Sequence, residues 1–334
     1  MGQTRPNAKK WLAAALKLLI VVLIVWFVRR TLISGLSELD KRPLPFQPLW
    51  LAAAGGLYLL GLLPAGLYWR RVLRVLGQEA SLCETLRAYY IGHLGKYVPG
   101  KAMVVVLRTG LIRSHRVETG VAAVSVFFET LTMMSVGAFI AAAILAGWFR
   151  QQASPLLFWV ALGLMVAAGL PTLPPVFKRL VQLAGIGKSN PATAEKLQKL
   201  GYGTLLAGWV AMSIGWVVLA LSFWAVLRAM GVADVNPLVE LPRYTAGVSL
   251  AMVAGFLSLV PGGAVVREVV LMELMVPYFS AALPEASDEK AAAAALASAV
   301  VLRIVWLVSE LAISGILYVS HIAVPYLASR KGRR

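Results

Sequence analysis

The chain has 334 residues, of which 59% are hydrophobic and 14% charged, and its mean hydropathy is +0.77. A soluble domain carries roughly 25% charged residues, so this composition excludes a soluble globular protein and places the chain in a membrane. The formal net charge of +17 does not point to nucleic acid, because the basic residues gather at the ends of apolar runs, where they meet anionic lipid headgroups. Cys83 has no second cysteine to pair with, and His93, His115 and His321 are scattered without a metal-ligand spacing. Neither a metal nor a cofactor is expected. No nucleotide-binding GxxxxGK[ST] loop occurs, so the chain is not expected to hydrolyse ATP.

A membrane-spanning helix needs about 20 mostly apolar residues. In chain order the runs that qualify are Trp11–Val28, Leu49–Trp69, Val121–Trp148, Leu156–Val176, Leu205–Met230 and Ala291–Tyr318. Two further apolar regions, Leu82–Ile112 and Tyr244–Phe279, are interrupted at Pro99 and Pro261. The first run follows a basic tail and precedes "VRR" with no small-residue cleavage pattern, so it reads as an uncleaved anchor. "MGQTRP" has Pro6 where a myristoylation signal needs Ser or Thr. With the N-terminus inside, 18 loop and tail basic residues fall on that side and 8 on the other. The positive-inside rule then puts both termini in the cytoplasm. The expected fold is an all-α polytopic membrane protein with six spanning helices and two broken re-entrant hairpins, forming a single membrane domain over residues 1–334.

The interrupted regions carry the chemistry. "LGKYVPGKAMVVVLR", residues 94–108, and "LSLVPGGAVVREVV", residues 257–270, share Val-Pro-Gly followed one residue later by Ala. Proline removes a backbone donor and glycine tolerates unusual dihedrals, so Pro99-Gly100 and Pro261-Gly262-Gly263 each break a helix. A broken backbone at membrane depth survives only where protein or a water-filled cavity covers it. The half-helix after each break begins with unpaired amides, a seat for an anion such as a phosphate. Superposing the two breaks pairs a unit at about residues 48–150 with one at about 202–320. An odd number of crossings between their starts inverts the second, the plan of many transporters.

These residues resemble the two signature loops of the lysylphosphatidylglycerol synthase transmembrane-region family, over most of residues 50–320. Its members include the flippase half of bacterial aminoacyl-phosphatidylglycerol synthases. The first loop matches at Pro99, Gly100, Lys101 and Arg108, and the second at Pro261, Gly262, Gly263, Arg267 and Glu268. Two positions depart: Thr130 follows Glu129 where the family often has arginine, and Val265 stands where it has a third glycine. The resemblance implies the lipid-moving part alone, in a bacterial inner membrane. No catalytic residue is expected, since an aminoacyl-transferring domain is not expected within these residues.

A charge at the bilayer centre costs about 2.5–3.5 kcal/mol on insertion scales. Lys101, Arg108, Glu129, Arg267, Glu268 and Arg303 are therefore the candidate substrate-binding residues. Arg267 and Glu268 are adjacent on a helix and point about 100° apart, which assigns Arg267 to the anion and Glu268 to Arg303 or Arg108. The structural reading of the same charges pairs Glu129 with Arg303, or Arg303 with Glu310. Lys96 reads as snorkelling to the interface, and His93 as a packing or capping residue. The expected function is transport of an anionic phospholipid or lipid-linked headgroup between leaflets, with anionic lipids and a lipid-synthesising enzyme as partners. Two alternatives stand beside it: a polyprenyl-phosphate-dependent glycosyltransferase using Glu38 and Asp40, and a non-catalytic partner of a lipid-modifying enzyme.

Overall fold

The computed structural model describes residues 47–98, 102–114, 116–152, 155–183, 185, 191–231, 237–258, 260–282 and 288–331. The expected first span Trp11–Val28, together with Glu38, Asp40, Pro99, Gly100 and Lys101, lies outside the described residues. Eleven α-helices make up the described chain: α1 Pro48–Val75, α2 Leu82–His93, α3 Ala102–Ile112, α4 Thr119–Gln152, α5 Pro155–Gly169, α6 Pro174–Leu183, α7 Pro191–Leu197, α8 Tyr202–Ala229, α9 Pro237–Leu257, α10 Val266–Ala282 and α11 Asp288–Lys331. Short 3-10 turns stand at Leu94–Tyr97, Leu170–Thr172 and Pro261–Gly263. Four of the helices, α1, α4, α8 and α11, are long and apolar enough to cross a membrane. The single helix expected over Leu156–Val176 is instead three pieces: α5, of 15 residues, the turn at Leu170–Thr172 and the start of α6. Pro171, Pro174 and Pro175 remove three amide donors within five residues, which ends α5 at about 22 Å, short of a full crossing.

The frame is the antiparallel pair α1 and α8. Gln47 donates its amide to the Ala229 carbonyl at 2.9 Å, and Ser222 donates its hydroxyl to the Ala54 carbonyl at 2.7 Å. A side chain on Gly215 would meet the Gly61 carbonyl at 2.8 Å, and one on Gly208 would collide with Tyr68. Each contact lies seven residues from the last on both helices, so one seam runs the length of the pair. Small residues along it let the backbones approach, which is how membrane helices associate where lipid removes the hydrophobic drive. Helix α11 packs antiparallel against the same face of α1, with Trp306 stacked on Tyr58 at 4.5 Å and its indole N–H donating to Ser222.

Both interrupted regions fold back on themselves. Ser81 caps α2 in a reciprocal box with Glu84, fixing the start of the first hairpin just past the end of α1. The hairpin ends where it began, because the Glu79 amide donates to the Arg116 carbonyl and the Glu118 amide to Gln78 Oε1 at 2.7 Å. Between those points Gly92 abuts Arg108 and Gly95 abuts the Val104 backbone, so α2 and α3 run antiparallel. The second hairpin is built alike: Gly247 meets Met275, Gly255 meets Arg267, and Tyr244 packs edge-on against Tyr278 at 5.8 Å. It starts just past the end of α8. Since the end of α8 bonds the start of α1, the two hairpins begin at opposite ends of the α1–α8 pair. Their tips meet, with Gly262 against Tyr97.

The tip of the second hairpin turns through left-handed backbone: φ is 62° at Gly262, 65° at Gly263 and 69° at Val265. The family's missing glycine therefore falls at a position whose conformation glycine alone adopts without strain. A β-branched residue held there costs on the order of 1–3 kcal/mol, and Val265 is 70% exposed, so its side chain adds little packing in return. Val265→Gly is expected to raise the melting temperature in detergent by several degrees, measured by scanning fluorimetry; a fall shows that the exposed side chain itself holds the tip.

Candidate functional site

The polar groups of the protein interior come from both hairpins and from the long helices they pack against. The 3-10 turn at Leu94–Tyr97 ends α2 at the level of Tyr58, ten residues or about 15 Å into α1. Here Lys96 pairs with Glu310 of α11, and the same carboxylate oxygen accepts from the Tyr58 hydroxyl. Lys96 lies across the Tyr97 ring, 5.1 Å from its centre. The snorkelling expected of Lys96 is thus overturned: its partner lies inward, and its side chain is only 12% exposed.

Arg108, in the second arm of the same hairpin, pairs with Glu129 of α4 at 2.5 Å, and both are buried. The guanidinium stacks on Tyr89 at 4.0 Å, a cation–π contact that compensates part of its lost hydration. Tyr89 also donates to Glu129 at 3.4 Å. The expected pairing of Glu129 with Arg303 does not occur. Arg303 of α11 instead pairs with Glu268 at 2.5 Å, as one of the two sequence alternatives has it, and Glu310 is taken by Lys96. His93 sits between the two ion pairs, its Nδ1 3.4 Å from Arg108 and its Nε2 3.8 Å from Glu310.

Arg267 differs from its neighbours. Its side chain passes between Gly255 and Gly263, where an added Cβ would lie 2.5 Å from its Cγ and 2.6 Å from its Nε respectively. The Nε is buried with no hydrogen-bond partner, and among the described residues no carboxylate pairs with it. Glu268 Oε2 and Glu310 Oε2 are likewise buried and unpartnered.

Two cavities meet at this arginine. The larger, of about 430 Å³, is walled mostly by apolar side chains of both hairpins, α4 and α6, with Lys96, Arg108 and Arg267 as its cations and Glu129 as its one carboxylate. The smaller, of about 30 Å³, is lined by Glu268, Arg303, Tyr97 and again Lys96 and Arg267. Of the sequence candidates, Arg108 and Glu129 face the first space, Glu268 and Arg303 the second, and Arg267 both. The charges that the sequence groups together as one set of candidates are divided between two spaces by the Gly262 tip, which lines each side. The sequence reading missed Lys96, Tyr58 and Gly255 as site residues. Lys96 stood in plain view inside the first motif, but Tyr58 and Gly255 carry no local signal.

Removing one member of a buried ion pair leaves the other charge unmatched and typically costs about 3–5 kcal/mol, while removing both costs much less. Glu129→Gln is therefore expected to depress yield and melting temperature sharply, and Arg108→Met added to it to restore much of both. Additive losses in the double variant would show that the two residues act independently.

The comparisons bear on the whole of this framework. No curated protein matches the chain. The described family "Lysylphosphatidylglycerol synthase TM region" matches over residues 14–314, which takes in both hairpins, all the paired charges and Arg267. The chain belongs to the lysylphosphatidylglycerol synthase transmembrane-region family.

Proposed function

We propose that this protein moves an anionic phospholipid, or a lipid-linked anionic headgroup, between the leaflets of the membrane, and catalyses no covalent step. The observation that carries this reading is Arg267: a cation whose Nε is buried without a hydrogen-bond partner and which pairs with no carboxylate among the described residues, lining a mostly apolar cavity beside Lys96 and Arg108. A buried charge without a partner is costly unless a ligand supplies one. A phosphate meets that need, and Val104, Val105, Phe127, Met134 and Leu180 along the same cavity suit the acyl part of the ligand. At about 430 Å³ the space is of ligand size; it takes a headgroup and the first part of the chains and leaves the rest in the bilayer.

The same reading takes residues 48–150 and 202–320 as an inverted pair, supported by hairpins that start at opposite ends of the α1–α8 seam. It places the α1 C-terminal end in the cytoplasm of a bacterial cell, because Arg70, Arg71, Arg74, Arg113, Arg116 and Lys199 gather there. A lipid-synthesising enzyme is the natural partner, as the supplier of the lipid.

Two measurements test these statements. Cys83, exposed at the start of the first hairpin, is expected to react with a membrane-impermeant maleimide only from the cytoplasmic face; labelling from outside whole cells reverses the orientation. In vesicles carrying fluorescent phosphatidylglycerol or phosphatidylcholine, Arg267→Gln is expected to slow the anionic lipid about tenfold or more at near-normal protein yield, in line with a lost charge-assisted contact of about 1.5–3 kcal/mol. Equal rates for variant and parent on both lipids refute the phosphate site.

A further inference from the structure

Lys96 is shared. It pairs with Glu310, yet it lines both cavities beside Arg267, so an anion held by Arg267 and the Glu310 carboxylate compete for one ammonium group. If the ammonium turns to the anion, Glu310 keeps the Tyr58 hydroxyl but loses its counter-charge in a buried place. A buried carboxylate without a counter-charge is relieved by taking a proton.

The structure also supplies a route for that proton. His93 borders the larger cavity, whereas Glu310 borders neither. Arg108 can only donate, so His93 Nδ1, 3.4 Å away, is the acceptor, and the neutral ring must then carry its hydrogen on Nε2. That Nε2 is buried without a hydrogen-bond partner and faces Glu310 across 3.8 Å. The groups bearing on Glu310 are Tyr58 from α1, His93 from α2, and Lys96 and Tyr97 from the turn that follows. Lys96 is the one permanent cation among these contacts, so once it turns to the anion Glu310 keeps no cation in contact and the proton from His93 replaces it.

We propose that His93 and Glu310 form a proton site whose filling is tied to anion binding through Lys96, so that lipid and proton bind together. This rests on the reading of the larger cavity as an anionic-lipid site. The step balances: hydronium reaching the cavity gives its proton to Nδ1 and leaves as water, the Nε2–H bond of His93 breaks as the Glu310 O–H bond forms, and Arg108, still held by Glu129, gives up its contact with Nδ1. Lys96 keeps its own proton throughout and exchanges one anionic partner for another. Charge brought in by the lipid is offset by charge brought in by the proton, and the buried cluster ends with the net charge it began with.

The test has two arms. In weakly buffered detergent solution, short-chain phosphatidylglycerol added to the parent protein is expected to draw on the order of one proton per bound lipid from the medium, and none in Glu310→Gln. In vesicles, the rate of labelled phosphatidylglycerol movement with an imposed pH difference, divided by the rate without one, is expected to exceed one several-fold in the parent and to fall to one in Glu310→Gln and in His93→Gln. Lipid binding by the parent without proton uptake overturns the proposal and leaves the lipid site standing. A parent protein that neither binds nor moves the lipid overturns both. Survival of the pH response in Glu310→Gln overturns the assignment of the proton to that carboxylate.

Discussion

The antiparallel seam of α1 and α8 decides where everything else can be. Because the two backbones touch at Gly61 and Gly215 and stay in step from Gln47–Ala229 to Tyr68–Gly208, the chain leaves the pair at opposite ends. Each exit leads into a hairpin, so the hairpins approach from opposite directions and their tips must meet inside. A looser seam, with side chains in place of the glycines, would let the helices slide, and the meeting of Gly262 with Tyr97 would lose its register. Close backbone contact thus does for this fold what a hydrophobic core does for a soluble one.

The meeting of the tips in turn dictates the charge arrangement. Three carboxylates, Glu129, Glu268 and Glu310, each take one cation, from Arg108, Arg303 and Lys96. All three pairs join a hairpin to a long helix: two reach the helix that comes next in the chain, 21 and 35 residues away, while Glu310 reaches 214 residues back to Lys96. Buried pairs contribute little net stability but penalise every arrangement that separates them. They act here as a register device, fixing each tip at one depth. Arg267 is the exception, held by shape between two glycines rather than by an opposite charge.

Much of this was legible in the sequence because helix breaks and buried charges are local signals. The Val-Pro-Gly repeats marked both interrupted regions, the apolar runs marked four helices that the structure contains, and Arg303 stood among the partners expected for Glu268. The partner of each charge was not legible. Glu129 finds Arg108 and not Arg303 because the first hairpin folds back beside α4, a tertiary fact that spacing along one chain does not encode. Lys96 was misread for a related reason. A lysine near a helix break in an apolar run reaches water in an isolated helix, and only the position of α11 supplies Glu310 instead. The run Leu156–Val176 misled by composition: its apolar character says membrane, while its prolines say that no single helix crosses.

Position along the tip explains why the two cavities remain separate. Lys96, Met252, Gly262 and Arg267 line both, so the wall between them is one residue layer thick and includes a glycine with no side chain to thicken it. A continuous helix could not make such a wall, since its backbone is enclosed by side chains on every face and its carbonyls are bonded within it. The left-handed turn at Gly262 and Gly263 presents bare backbone there and lets Arg267 return past Gly255 to face both spaces. The proline-glycine break therefore gives this protein a thin, charged partition between the two cavities, and the flanking half-helices, packed by their glycines into closed hairpins, enclose the exposed backbone.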